Sequence, residues 1–491
     1  MLSLISQFRK PIRVLVALTL ALLFAFSSTI FAFAQVNLLQ LSSDPYTNIT
    51  SQHKTEVEPD TFAFGSTIVS AFQVGRFFDG GASNIGFATS TNGGKNWTPG
   101  FLPATTVYAT PAGSYARASD PAVAYDAKHN VWIISYLGIV NPSGPVDVVT
   151  SRSTDGGLTW GTPVAVNADG HFNDKNWTVC DDTASSPFFG NCYTEFDDNT
   201  LGDLIQMSTS TDGGLTWGAG QPTGNNAHGI GGQPLVQPNG TVIVPINGFA
   251  GFNFLMLSFT STNGGASWSN THIIARVAFH APAGGIRAGI PLPSAEMDGS
   301  GKVYVVWSDC HFEPTCNASD LVLSTSTDGK SWSKLTRIPI DARGSGVDHF
   351  IPGLAVDRST SGSSAHLVVT FYYYPVANCT ASTCQLDVGF SASANGGATW
   401  SSNAQLAGPM SLTWLPNTTQ GVMVGDYIST SFSGAPAYPA FAVANAPSGG
   451  LFDEATYTVR GGLSVGSGHP ASDQTNASSN DTLTTSSLTA Q

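Results

Sequence analysis

Ionisable side chains of both signs precede a series of proline-containing segments in this 491-residue chain. The segments include EPDTFAF from Glu58, DPAVAYD from Asp120 and IPGLAVD from Ile351. The polar residues at or just before these segments and their counterparts are Glu56, Glu58, Arg117, Asp120, Asp174, Lys175, His228, Arg287, Asp348, His349, Asp426 and Tyr427. Arginine binds a carboxylate through two parallel hydrogen bonds, and a carboxylic acid can exchange a proton. The set therefore predicts a site at which polar groups of both signs converge.

Three of these residues share one position relative to their proline. Arg117, Arg287 and Asp348 each lie four residues before it. Equivalent positions in a repeated structure point in the same direction, so we expect the two arginines to face a shared ligand. Arg76 is the third arginine candidate. Alternating apolar residues follow each proline, so we expect each proline to begin a β-strand.

An eight-residue box recurs downstream and marks the structural unit that positions these residues. The box is STDGGLTW at Ser153 and again, letter for letter, at Ser210. Looser copies are STNGGKNW at Ser90, STNGGASW at Ser261, STDGKSW at Ser326 and SANGGATW at Ser393. Six copies at intervals of roughly 50 to 70 residues indicate a repeat protein.

The residue types in the box are those of a tight hairpin. The Asp or Asn can hydrogen-bond its own turn, the glycines supply positive φ, and the Trp buries a large apolar surface. We therefore predict that the boxes fold hairpins. The alternative is a ligand site at each box.

Each unit contains four candidate strands, which is typical of one β-propeller blade. Many glycines and few charged residues, 11% of the chain, also favour an all-β protein. After the sixth box, VGDYISTSF from Val424 begins an unboxed seventh copy. The sequence predicts a single all-β propeller of four-stranded blades, with seven blades favoured and six possible.

The boxes resemble Asp-boxes, the BNR repeats of sialidase-like β-propellers, from about Glu56 to Arg460. The resemblance implies arginines that fix a substrate carboxylate, a tyrosine nucleophile and an acid for the leaving group. Carried onto this sequence, it implies Tyr427 as nucleophile and Asp120 as acid. The substrate-binding candidates are Arg76, Arg117, Arg287, Asp348 and His349.

One motif of the family is absent, because the first repeat is TEVEPDTF and lacks an arginine before its proline. Two hypotheses therefore stay open. The chain is an exo-glycosidase acting on extracellular glycans, or a non-catalytic propeller that binds carbohydrate or protein at the cell surface. A purely structural surface protein is a third. The sequence has no HExxH, GxSxG, P-loop or dinucleotide-binding motif.

Acidic residues cluster in the third repeat, where oxygen ligands could hold Ca²⁺. The candidates are Asp174, Asp181, Asp182, Asp197 and Asp198. Their spacing fits no defined calcium loop, so solvated acids are the alternative. We expect no other metal or cofactor.

The ends of the chain differ in composition from its repeats. Arg9, Lys10 and Arg13 precede an apolar stretch and an Ala-Phe-Ala site, which predicts a signal peptide over 1–34, cleaved after Ala34, and hence secretion. An uncleaved membrane anchor is the alternative. We expect residues 35–55 to be a lead-in that could close the ring, 56–460 to form the propeller, and the polar residues 461–491 to be disordered.

The charge and the cysteines limit the partners and the environment. The chain carries a formal charge of −14, and removing the signal makes it more negative, so nucleic acid and anionic membrane are not expected partners. The six cysteines form three local pairs, Cys180 with Cys192, Cys310 with Cys316 and Cys379 with Cys384. In an exported chain these pairs predict disulfides, with free thiols or a metal site as alternatives. We expect a monomer whose ligand is an extracellular glycan or a cell-surface molecule.

Overall fold

The computed structural model describes residues 36–251 and 253–466. The predicted signal peptide and residues 467–491 of the predicted tail lie outside the described residues. The described residues from Asn37 to 466 belong to one compact unit. Within the described part of the chain, 31 strands and four short 3₁₀ helices confirm the all-β prediction.

Consecutive strands pair antiparallel in groups that follow the sequence repeats. The lead-in strand and the first group are β1 (Leu38–Gln40), β2 (Gln52–Phe64), β3 (Thr67–Arg76), β4 (Ala82–Ser90) and β5 (Thr98–Phe101). The second group is β6 (Arg117–Asp126), β7 (Val131–Ile139), β8 (Val146–Ser153) and β9 (Val164–Asn167). The third is β10 (Asn173–Cys180), β11 (Cys192–Asp198), β12 (Leu204–Ser210) and β13 (Gln221–Pro222).

The remaining groups follow the same order. The fourth is β14 (Gly229–Ile230), β15 (Leu235–Val236), β16 (Val242–Ala250), β17 (Asn253–Ser261) and β18 (His272–Arg276). The fifth is β19 (Ser294–Met297), β20 (Val303–Asp309), β21 (Asp320–Ser326) and β22 (Thr336–Arg337). The sixth is β23 (His349–Val356), β24 (Leu367–Tyr373), β25 (Gln385–Ser393) and β26 (Ala404–Ser411).

A short hairpin separates the sixth group from the last. The hairpin and the seventh group are β27 (Asn417–Thr418), β28 (Gly421–Val422), β29 (Ser429–Phe432), β30 (Ala437–Ala444) and β31 (Glu454–Val459). The 3₁₀ helices are Asn199–Leu201, Ala283–Gly285, Gly362–Ser364 and Leu412–Trp414.

The first strand of the chain adds a fourth strand to the last group. β1 pairs antiparallel with β31, with Leu38 opposite Val459. Beyond β31, Leu463 is 1% exposed and exchanges backbone hydrogen bonds with Ala437. The two ends of the described chain are thus held against the same strands.

The first strands of neighbouring groups also contact one another. β2 contacts β6, β6 contacts β10, β10 contacts β15, β15 contacts β19, β19 contacts β23, β23 contacts β29, and β29 returns to β2. The apolar core lies between neighbouring groups, where, for example, Phe87 of β4 packs in one cluster with Trp132 of β7.

Bulges interrupt the first strands where the prolines lie. Pairing shifts register between Val57 and Asp60 in β2, and at the corresponding points of β6, β10 and β23. Pro59, Pro121 and Pro352 therefore lie inside their strands, and the expectation that a proline begins each strand was wrong for these three groups. Proline has no N–H to donate to a ladder, so within a strand it is tolerated at a bulge.

The six boxes fold into turns with the same hydrogen bonds. In each, the Ser hydroxyl donates to the Asp or Asn side chain and accepts from the backbone N–H of a glycine. In the second box, Asp155 Oδ1 also accepts from the backbone N–H groups of Leu158 and Thr159 at 3.1 and 2.9 Å. These side chains are used by the turn itself.

All three predicted disulfides are present and close local loops: Cys180–Cys192, Cys310–Cys316 and Cys379–Cys384. The prediction of local pairing is confirmed. No helix among the described residues is long and apolar enough to cross a membrane.

The box tryptophans are expected to contribute stability. Trp160 is 7% exposed, and its ring lies 5.7 Å from the ring of Phe87. Trp160→Ala should lower the free energy of unfolding by about 3 to 5 kcal/mol, because truncation leaves a cavity in the core. Chemical denaturation measures the loss. Leu158→Ala in the same box is the control, because Leu158 is 39% exposed and should change little. Equal effects of the two substitutions would contradict a structural role for the Trp.

Candidate functional site

A cavity of about 550 Å³ lies where the bulged ends of the first strands meet. Its polar lining consists of Glu58, Arg76, Asp79, Arg117, Ser119, Asp120, Asn173, Asp174, Lys175, Gln233, Arg287, Ser308, Thr419, Gln420, Asp426 and Tyr427. Five of the seven residues with a catalytic or substrate-binding role assigned from the sequence are among them, namely Arg76, Arg117, Arg287, Asp120 and Tyr427. Glu58, Asp174, Lys175 and Asp426, which belonged to the wider polar set, line the cavity as well. A cavity of this volume can hold a small ligand such as a sugar.

The bulges put four of the lining residues in an unusual backbone conformation. Glu58, Asp120, Lys175 and Ile351 have φ of 55°, 50°, 42° and 51°. Left-handed backbone costs a non-glycine residue about 1 to 3 kcal/mol, and such positions cluster at functional sites. Because the four residues occupy equivalent bulges and line one cavity, the strain supports a functional role for the cavity.

Arg76 is the buried cation of the site. It is 2% exposed, and its Nη1 donates to Gln73 Oε1 at 2.8 Å, while its Nε has no hydrogen-bond partner. Burial lowers the pKa of the Arg76 guanidinium, and the Glu58 carboxyl acts in the opposite direction. Among the described residues, no carboxylate forms an ion pair with Arg76. Its charge is therefore available to an anion in the cavity.

The other two arginines already have carboxylate partners. Arg117 Nη1 donates to Asp79 Oδ1 at 2.6 Å, and the guanidinium lies 4.0 Å from the centroid of the Phe77 ring. Arg287 Nη2 donates to Asp426 Oδ2 at 2.5 Å. Burial acts to lower the pKa of Arg287, but Asp426 and Glu58 outweigh it and hold the pKa above the usual range. The structure brings the three arginines to one cavity but leaves only Arg76 unpaired.

A buried amide connects the charged groups on one wall. Gln73 is fully buried in β3; its Nε2 donates to Glu58 Oε2 and to Ser119 Oγ, the latter at 3.1 Å. Ser119 Oγ in turn donates to Asp120 Oδ1 at 2.5 Å. Arg76, Glu58 and Asp120 thus share one hydrogen-bonded network.

Two of the cavity acids hold protons unusually tightly. Burial, with Asp120 and Asp426 nearby, raises the pKa of Glu58 to about 8. Burial and Asp120 likewise raise the pKa of Asp174 to about 7. Glu58 is therefore a carboxylic acid at neutral pH, which is the state that a general acid requires.

Tyr427 lines the cavity with its ring, but its hydroxyl is used elsewhere. The hydroxyl donates to the backbone oxygen of Pro121 at 3.0 Å, and Lys175 Nζ lies over the ring, 3.8 Å from its centroid. Burial, followed by Glu58 and Asp120, raises the pKa of the Tyr427 hydroxyl well above its usual value. A nucleophilic tyrosine needs a base at its hydroxyl, so this geometry does not favour that role.

Asp348 and His349 do not belong to the described lining of the cavity. Asp348 accepts from the backbone N–H of Ser319 at 2.8 Å and contacts His280 at 3.4 Å. His349 is 1% exposed and stacks on Tyr373, and burial lowers its pKa to about 4. A buried neutral imidazole without access to the cavity cannot bind the same ligand.

The five acids considered for Ca²⁺ do not form one set of ligands. Asp174 lies near the start of β10, whereas Asp181 and Asp182 follow its end, and a strand of this length spans about 25 Å. Asp182 accepts from the backbone N–H of Ala127 at 2.8 Å, and Asp198 contacts His171 at 2.7 Å. The five acids therefore do not supply the ligands of one calcium ion, because the strand separates them.

Two groups of side chains elsewhere have atoms close enough to share a metal ion: Asp169 with His171 and Asp198, and Asp320 with Asp341 and His349. In the first group His171 already binds Asp198, and in the second Arg337 bridges Asp320 and Asp341. Internal ion pairs account for both groups.

Sequence reasoning missed Gln73 and Ser119 and did not assign roles to Glu58 or Asp426. Glu58 lies directly before a proline, as Asp120 does in its own group, so the repeat pattern alone could have placed it at the site. One feature of the sequence could have identified Gln73: it is the single amide in the apolar strand TIVSAFQVGR.

Comparison with known proteins gives structural likenesses only. No protein-family model matches the chain, and no curated protein matches it. A protein of unknown function from Dyadobacter fermentans DSM 18053 shares 16% identity over 72% of this chain and 98% of that chain, with a TM-score of 0.44. A Hadza microbial sialidase shares 13% identity over 87% of this chain and 93% of that one, with a TM-score of 0.44. An ulvan lyase, from a family of polysaccharide lyases, shares 11% identity over 84% of this chain and 96% of that chain, with a TM-score of 0.49.

Proposed function

We propose that this protein is an exported, seven-bladed Asp-box β-propeller of the sialidase-like type that binds an acidic glycan in its cavity and hydrolyses the terminal glycosidic bond. The observation that carries the proposal is Arg76, a buried guanidinium without a carboxylate partner beside a protonated Glu58. A sugar carboxylate pairs with such a guanidinium through charge-assisted hydrogen bonds.

The strand contacts support a closed propeller. Seven groups of strands follow one another, and the contacts between their first strands return from β29 to β2. The pairing of β1 with β31 gives the last group its fourth strand, which is how a ring of blades is closed by the two ends of one chain. The shared hydrogen bonds of the six turns support their identity as Asp-boxes.

Hydrolysis is supported by the two acids that share the Gln73 network. Glu58, protonated at neutral pH, would donate a proton to the glycosidic oxygen as the bond to the leaving group breaks. Asp120 would act on the sugar carbon, directly or through a water molecule. These roles differ from the sequence-based assignment, in which Asp120 was the acid and Tyr427 the nucleophile.

Tyr427 favours the second candidate function, binding without turnover. Its hydroxyl donates to Pro121 rather than to a basic side chain. Without a tyrosine nucleophile, a sialidase mechanism would be incomplete and the cavity would serve as a lectin-like site for the same acidic glycan.

Export is proposed on the predicted signal peptide together with the three local disulfides, which are typical of proteins outside the cytosol. The partner would be an extracellular or cell-surface glycan, and the protein would act as a monomer, without nucleic acid or membrane as partner.

Ligand binding tests the role of Arg76. Arg76→Gln should weaken the binding of N-acetylneuraminic acid or glucuronic acid at least tenfold, because hydrogen bonds to charged groups contribute about 1.5 to 3 kcal/mol. Isothermal titration calorimetry measures the affinity. Arg117→Gln is the matched control, since Asp79 already occupies that guanidinium, and should change affinity less. A glycan screen in which no acidic sugar binds the wild-type protein would contradict the proposed function.

A further inference from the structure

We infer that Gln73 is a positioning residue that holds Arg76 and Glu58 apart, so that the guanidinium stays open to an anionic ligand. The inference rests on the proposed function of the cavity, in which the two groups have separate tasks. Gln73 itself does not line the cavity and acts through its neighbours.

The orientation of the Gln73 amide is fixed by its partners. A guanidinium can only donate hydrogen bonds, so the amide oxygen must face Arg76 Nη1, which lies 2.8 Å away. The amide nitrogen then faces Glu58 Oε2 and Ser119 Oγ. Because the amide is fully buried, turning it over would leave two donors, the amide nitrogen and Arg76 Nη1, facing each other.

The amide occupies the place where an ion pair would otherwise form. Gln73 contacts Arg76 with one end and Glu58 with the other, so the two side chains are separated by the width of one amide group. An opposite charge at contact distance lowers the pKa of a carboxyl group by about one to three units. Direct contact would therefore ionise Glu58 and at the same time occupy the anion-binding guanidinium.

Other charged or titratable groups also act on Glu58, and they do not replace Gln73. They are Arg76 on β3, Asp120 on β6, Arg287 in the loop before β19, and Asp426 and Tyr427 before β29. Arg287 is held by Asp426, and Asp120 accepts from Ser119. Of the two arginines near Glu58, Arg76 is the one without a carboxylate partner among the described residues.

The same amide joins the second acid to the network. Its nitrogen donates to Ser119, whose hydroxyl donates to Asp120. Each hydrogen bond in this series is donated in the same direction, from Arg76 through Gln73 and Ser119 to Asp120. A packing role alone would not require this direction, because an apolar side chain of equal size would fill the same space.

The test is Gln73→Ala, which removes the amide together with the side-chain volume that separates Arg76 from Glu58. We expect Arg76 to reach Glu58, so the pKa of the Glu58 carboxyl should fall by at least one unit. Loss of one amide donor acts in the opposite direction but is the smaller effect, because an ion pair with a buried guanidinium outweighs one hydrogen bond from a neutral amide. The pKa is measured by infrared spectroscopy of the carboxyl C=O band against pH, with Glu58→Gln to assign the band.

A second readout uses the ligand. In Gln73→Ala the affinity for N-acetylneuraminic acid should fall at least tenfold, and the alkaline limb of turnover of 4-methylumbelliferyl N-acetylneuraminate should move to lower pH. Gln237→Ala is the matched control: Gln237 is buried and bonds to Gly301 and Thr327 away from the cavity, so the pH profile should not move.

The outcomes separate this inference from the proposed function. A Glu58 pKa that is unchanged or higher in Gln73→Ala overturns the role of Gln73, whatever the wild-type protein binds. A wild-type protein that binds no acidic sugar, with the expected fall in the Glu58 pKa, overturns the proposed function and leaves the role of Gln73 standing. If Gln73→Ala does not fold, Gln73→Ser replaces it: its side chain is likewise too short to separate the two groups, and an unchanged Glu58 pKa would overturn the inference.

Discussion

Glu58→Gln is expected to lower the turnover of an acidic glycoside by about 10²- to 10⁴-fold, because general acid catalysis contributes that much and a glutamine cannot donate the required proton. Binding should persist, since the amide has nearly the shape of the protonated carboxyl group. Release of 4-methylumbelliferone from its N-acetylneuraminic acid and glucuronic acid glycosides measures turnover, and calorimetry measures binding of the free sugars.

Two further variants show whether the roles are assigned correctly. Asp120→Asn should also lose turnover, whereas Tyr427→Phe should keep most of it, because the lost hydroxyl bonds only to the backbone of Pro121. If Tyr427→Phe abolished turnover while Glu58→Gln did not, the site would use the tyrosine mechanism and the assignment here would be wrong. Binding without turnover in the wild-type protein would select the lectin-like function.

Stability should fall steeply as pH rises from about 5 to 8. Burial raises the pKa of several acids, namely Glu56, Glu58 and Glu195 to about 8, and Asp60, Asp174 and Asp182 to about 7. Between the unfolded pKa, about 4, and these values the folded state holds protons that the unfolded state has released, so stability decreases with pH.

The size of the effect follows from the number of such groups. Each contributes about 1.4 kcal/mol per pH unit within its window, so even two of the six would remove about 3 kcal/mol per unit. The stabilisation that comes from these buried protonated acids is fully present below their pKa in the unfolded state, about 4. Acids with lowered pKa values, such as Asp155 at about 2, act in the opposite direction only in strong acid. His349, whose pKa burial lowers to about 4, adds a rise of stability with pH between about 4 and 6.5, so maximum stability is expected in mild acid, at about pH 5 to 6.

Calorimetric melting at constant ionic strength between pH 4.5 and 9 measures this dependence. Glu195 is the most direct group to remove, because it is fully buried and neither of its carboxyl oxygens has a hydrogen-bond partner. Glu195→Gln should raise Tm relative to the wild-type protein at pH 8.5 and change it little at pH 5. A wild-type Tm that rises between pH 5 and 8 would contradict the account of the buried acids.

The sequence pattern was informative where the repeat determines position. Arg117, Asp120 and Arg287 were proposed because of their spacing from a proline, and all three line the cavity. The box residues were assigned to turns because their own side chains can satisfy the turn, and Asp155 does so. Local chemistry and repeat register are both readable from sequence.

What the pattern could not predict depends on contacts between distant parts of the chain. Asp79, which pairs with Arg117, lies in a loop of the preceding group, and Pro121, which binds the Tyr427 hydroxyl, is 306 residues away from it. Asp348 shares the register of the two arginines, but it binds Ser319 and His280 instead of facing the cavity. Register gives the position along a strand and not the partner that a side chain meets.

The pairing of a ligand carboxylate with Arg76 is tested most directly by comparing N-acetylneuraminic acid with its methyl ester. The two ligands differ only in the charged group, so a calorimetric titration of both isolates the contribution of the carboxylate. We expect the wild-type protein to bind the acid at least tenfold more tightly than the ester, and Arg76→Gln to lose that difference. Equal affinity of the wild-type protein for the acid and the ester would contradict the account, because the buried guanidinium would then have no part in recognising the ligand.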